Sequence, residues 1–92
     1  MNTIILDFTD CKSYLQIHMK LKETFGFPDF YGCNLDALWD NLKEYCPPLS
    51  IILISGINSL PKEEKEYVTT CVLKVFKDLN KKNPDIIFEV IS

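Results

Sequence analysis

Three short β-rich runs, "TIILDF" (Thr3–Phe8), "LSIILIS" (Leu49–Ser55) and "DIIFEVI" (Asp85–Ile91), alternate with longer stretches of helical periodicity. That alternation constrains the fold more than any other feature of the chain. Strands separated by helices cannot pair as hairpins; they pair in parallel through crossover connections. The order reads β-α-α-β-α-β, an α/β fold in which a three-stranded parallel sheet packs with helices. The first run reads as a buried strand. The second is nearly continuous in apolar residues, the pattern of a strand covered on both faces. At 92 residues there is material for one core and not for two, so residues 1–92 read as a single domain.

Asp10 stands where an N-cap is needed for a helix running from Cys11 to Phe25, along which Tyr14, His18, Leu21 and Phe25 form an apolar stripe. Gly26 sits at its left-handed C-terminal cap, and Pro28 forbids any continuation. Asn34 caps a second helix from Leu35 to about Tyr45, with Leu35, Leu38 and Leu42 toward the core and Trp39 and Tyr45 on the flanks. Pro61 suits a first helical turn, and Val68, Val72, Val75 and Leu79 carry the core stripe of a long third helix. The stretch 57–65 also accommodates a short separate helix ahead of it.

The distribution of charge narrows the function classes. All ten cations are lysine, so the planar fork with which arginine grips phosphates is absent, and no basic stripe or direct nucleic-acid site is expected. The acids Asp29, Asp36, Asp40 and Glu44 fall within residues 29–45 against Lys43 alone, a local net of −3 that equals the formal charge of the whole chain. No apolar run approaches the roughly 20 residues that span a bilayer. "MNTIILDFTD" lacks a basic leader, so a cytoplasmic protein is expected. Cys11, Cys33, Cys46 and Cys71 are scattered, with no C-x-x-C pair and no histidine nearby. They read as reduced, mostly buried thiols, Cys33 the most accessible, and neither a metal nor a cofactor is expected.

Catalytic motifs are missing. The chain has no P-loop, nucleophile elbow or H-E-x-x-H, and its single histidine, His18, reads as a core residue hydrogen-bonded to a neighbour. Asp36 and Asp40 lie four apart on one helix face with Glu44 extending the row, and like charges at that spacing repel. As an acid–base pair they lack a nucleophile, a metal and a deep pocket; alone they would read as a solvated face. Phe30, Tyr31, Trp39 and Tyr45 crowd the same seventeen residues, more aromatics than the core needs. An acidic row framed by aromatics reads as a docking surface for a basic protein, not as an enzyme's site.

The run "FPDFYGCNLDALWDNL" resembles the barstar family of intracellular ribonuclease inhibitors, whose hallmark is matched by Gly32, Asn34, Leu35, Asp36, Ala37, Leu38, Trp39 and Asp40. "VLKVFKDL" resembles that family's later helix and "DIIFEVIS" its last strand, so the likeness spans essentially the whole chain. The resemblance implies inhibition of a small, basic, secreted ribonuclease of the barnase type, whose phosphate-binding site the acidic helix would fill. It implies Asp40 as central anchor and Asp36 as its neighbour, with Gly32, Asn34 and Leu35 giving backbone and packing contacts. Trp39 and Glu44 belong to the same face. Three positions depart from the archetype: Phe30 stands where it has tyrosine, Tyr45 where it has tryptophan, and Asp78 where it has glutamate. Its two cysteines are replaced here by Asn41 and Pro84. The cognate enzyme implied is therefore either such a ribonuclease or a related toxin domain, and a binding module for a basic partner that is not a nuclease is the alternative.

Overall fold

The computed structural model describes residues 1–91. Three strands, β1 (Asn2–Asp7), β2 (Ser50–Ser55) and β3 (Ile86–Val90), form one parallel sheet in the order β1-β2-β3. Helices α1 (Tyr14–Phe25) and α2 (Leu35–Tyr45) connect the first two strands. A 3-10 turn (Ile57–Ser59), α3 (Lys62–Tyr67), a π-helical turn (Val68–Val72) and α4 (Leu73–Lys82) connect the last two. The expected parallel α/β architecture is present, with the short extra helix as a single 3-10 turn.

The strand order corrects two expectations. Both crossovers advance the same way across the sheet, and connections of one hand then lay all helices on one face. Leu6, Ile52, Ile54 and Ile86 point into that helix layer and are buried, and Phe88 meets Phe76 of α4 with ring centroids 5.9 Å apart. The alternate residues point the other way. Ile51, Leu53 and Ser55 stay partly exposed, and Ile5 is 65% exposed. So β2 is covered on one face and not two, and β1 is a half-buried edge strand. Apolar residues fill both sides of β2, which is why its sequence reads as doubly covered.

Local chemistry explains the element boundaries. Ser13, not Asp10, caps α1: its hydroxyl accepts from Gln16 N at 3.1 Å while the Gln16 amide oxygen accepts from Lys12 N at 2.6 Å. Gly26 closes the helix at φ 72°, as its position demanded. In the 62–82 segment the buried residues are Val68, Val72, Phe76 and Leu79; Val75 is only half-buried, and Pro61 occupies the cap rather than the first turn. Those four residues are spaced four, four and three apart, close to α-helical rhythm, and a π-helical turn over Val68–Val72 widens the ladder between α3 and α4.

Candidate partner-docking face

Asn34 fixes where the acidic helix starts. Its side-chain oxygen accepts from Ala37 N at 2.8 Å, and its amide donates to Gly32 O at 3.2 Å. The side chain is thus committed internally to holding the loop against the first turn. Leu38 and Leu42 are fully buried and set the roll of α2; Leu35 is only half-buried. That roll leaves Asp36, Asp40 and Glu44 exposed in one row. Asp36, in the first turn, also gains from the helix dipole.

The one cation among these acids, Lys43, reaches the row. Lys43 Nζ lies 3.7 Å from Asp40 Oδ1 and 5.1 Å from the centroid of the Trp39 ring, while Asp40 keeps 73% of its side chain exposed. So exposed and long a pair is worth little, and an incoming cation can displace it. Asp36 makes no ion pair within 4 Å among the described residues. Asp29 does: Lys22 Nζ is 3.1 Å away, so this acid, fully exposed in the loop, already has a partner on α1.

Two grooves flank Asp36 and share Leu35 with it. One, of about 630 Å³, lies toward α1 and α3 and is lined by Tyr14, His18, Cys33 and Tyr67. The other, of about 330 Å³, lies toward the π-helical turn and α4 and brings Trp39, Val75 and Asp78 together with Leu35 and Asp36. Phe30 stands apart at the loop tip, 84% exposed, beside exposed Gly32. Glu44 and Tyr45 occupy the far end of α2, where the Tyr45 ring approaches Phe27 at 6.3 Å. Tyr14 and Val75, expected in core stripes, line these grooves instead, and Tyr67 and Cys71 carry no signal in a local motif.

Tyr31 does not belong to the aromatic frame. It is 6% exposed, and its hydroxyl lies 2.7 Å from His18 Nδ1; Tyr67 Oη lies 2.7 Å from His18 Nε2. In the neutral ring one nitrogen donates and the other accepts, so both contacts are satisfied at once. Burial holds His18 below the usual imidazole pKa, favouring that neutral form, and pushes the Tyr31 phenol up. This Tyr31–His18–Tyr67 chain fastens the loop carrying Phe30 and Gly32 to both α1 and α3. Cys33 sits in the same loop at φ 51°, half-buried like Cys71, whereas Cys11 and Cys46 are buried. All four are free thiols.

A rigid, capped helix thus offers an anionic row between two concavities, with an aromatic projecting from a tethered loop. The chain is similar in sequence to known proteins. A Bacillus subtilis (strain 168) protein named "Putative ribonuclease inhibitor YrdF" is 44% identical over 54 residues, 58% of this chain and 59% of that protein, so the match spans under two thirds of the relative's length. A family model described as Barstar (barnase inhibitor) matches residues 1–91. The chain belongs to the barstar family.

Proposed function

We propose that this protein is an intracellular inhibitor of a small, basic, secreted ribonuclease, acting by occupation and not by catalysis. The observation that carries the reading is the placement of Asp36 and Asp40 on one exposed face of α2, with grooves on either side of Asp36. A ribonuclease holds phosphate with clustered cations. Carboxylates fixed on a helix meet those cations without the ordering cost that a flexible loop would incur. Asp40 exchanges its loose Lys43 contact for the enzyme's cations, and Asp36 supplies a second anion beside it. Leu35, Trp39 and Asp78 line the adjoining groove, and Phe30 leads the loop. Family membership and the name of the B. subtilis relative support the same reading.

The test is a titration of the purified protein into a barnase-type ribonuclease, read as RNA cleavage. Asp40→Ala should weaken inhibition at least ~30-fold, the loss typical of a charged hot spot. Glu63→Ala, an exposed acid of α3, should change it less than about threefold. Equal losses would displace the docking face from α2. Binding that leaves cleavage intact would favour a basic partner that is not a nuclease.

A further inference from the structure

We propose that the open face of the sheet, opposite the helices, is a self-association surface on which two copies stack into a weak dimer. The two inner rows of that face follow from the strand register. Thr3, Ile51 and Ile87 stand side by side in one row, and Ile5, Leu53 and Glu89 in the next. Leu49 and Ile91 extend it, 52% and 50% exposed, while Ile5 and Ile87 are 65% and 45% exposed. These six aliphatic side chains leave roughly 500 Å² of apolar surface in one piece, in the upper part of the range for the largest patch on a monomer. A sheet ordinarily buries both faces when both are apolar, and here one layer is missing.

A second copy is the occupant that fits. Two identical right-twisted sheets stack about 10 Å apart with strands near −30°, so neither copy has to reshape. The area buried by two such faces is roughly 1,000 Å², at the threshold for a specific interface, which points to a reversible dimer and not an obligate one. The charges on this face are the carboxylates Asp7 and Glu89, with no lysine, so an anionic lipid surface is disfavoured. Asp7 lies at the rim, its carboxylate already accepting from Thr9 N at 3.0 Å. Glu89 lies beside Leu53 and loses water on stacking, which sets an upper limit on affinity. The acidic row of α2 lies in the helix layer, so both docking faces stay free in the dimer.

Sedimentation equilibrium between about 10 μM and 1 mM tests this without any partner. The wild-type chain should dimerise reversibly within this range, as a contact of only ~1,000 Å² at the lower bound for specific interfaces leads one to expect. Ile5→Glu and Ile87→Glu should each be monomeric throughout with unchanged far-UV circular dichroism, and Glu89→Gln should tighten the dimer several-fold. Both glutamate variants alter exposed positions on edge strands, and Glu89→Gln perturbs the fold least. A wild-type protein and a Glu89→Gln variant both monomeric at 1 mM would overturn the proposal. So would a dimer that survives both glutamate variants, since pairing would then run through strand edges or helices.

Discussion

Removing the hydroxyl of Tyr31 should cost about twice as much stability as removing that of Tyr67, although both bond His18 at 2.7 Å. Tyr31 is 6% exposed and His18 2% exposed, so Tyr31→Phe leaves Nδ1 without a partner where water does not reach. An orphaned buried polar atom costs about 1–3 kcal/mol; about 2 is expected here. Tyr67 is half-buried and lines the 630 Å³ groove together with His18, so in Tyr67→Phe a water can enter and bond Nε2. That loss should stay at or below about 1 kcal/mol. Urea unfolding followed through the single tryptophan, Trp39, converts these into midpoint shifts. With a slope of about 1 kcal/mol per molar urea, they come to about 2 M for Tyr31→Phe and about 1 M or less for Tyr67→Phe. Equal costs, or a larger cost for Tyr67→Phe, would refute the reasoning, because the groove would then not hydrate the ring.

Three further outcomes are expected. His18 is held neutral, its folded pKa below the unfolded value near 6.5, so its contribution is complete above that value and declines as pH falls through and below it. Denaturant melts from pH 7.5 to 5 should therefore show falling stability with a slope no steeper than about 1.4 kcal/mol per pH unit, one proton's worth; Asp7, held low by its Thr9 hydrogen bonds, adds its own loss only below its unfolded value near 4. Gly56→Ala should cost about 3 kcal/mol or more by the same melts, because φ is +78° and the added Cβ would collide with the Thr9 backbone nitrogen as well as Asp7. Asp40→Asn should leave the free protein within about 0.5 kcal/mol of wild type, since loss of the long Lys43 contact offsets relief of repulsion with Asp36 and Glu44; a loss above ~1 kcal/mol would reveal a structural role.

Elements written in local chemistry were legible in the sequence. The Asn34 cap, the Leu38–Leu42 spacing and Gly26 each act over one helical turn, and each lies where its residue type requires. The α1 cap is equally local, yet Asp10 draws the assignment: in "SYLQ" the Ser13 hydroxyl accepts from Gln16 N while the Gln16 side chain reaches back to Lys12 N, one residue ahead of the cap. What sequence could not carry was the third dimension. Whether β2 has one covered face or two depends on strand order, and its continuous aliphatic run reads as the doubly covered case. Tyr31 reads as a surface aromatic because it falls among aromatics crowded into an acidic stretch, whereas in the fold it is buried against His18, thirteen residues away. Lys22 likewise reaches Asp29 only once the path of the loop is fixed, whereas Lys43, three residues beyond Asp40 on the same helix, is a neighbour that helical spacing alone supplies.

The wide turn at Val68–Val72 means that the last connection holds one residue beyond what its two flanking faces require. Excising Thr70, an exposed position, would leave inward residues three, four and three apart, a spacing that an unbroken α-helix also accommodates. Both ends could then stay docked while the surplus vanished at the splice. Chain length can therefore change in the middle of this segment, where deletions are ordinarily least tolerated, without rotating Asp78 away from the groove it shares with Asp36.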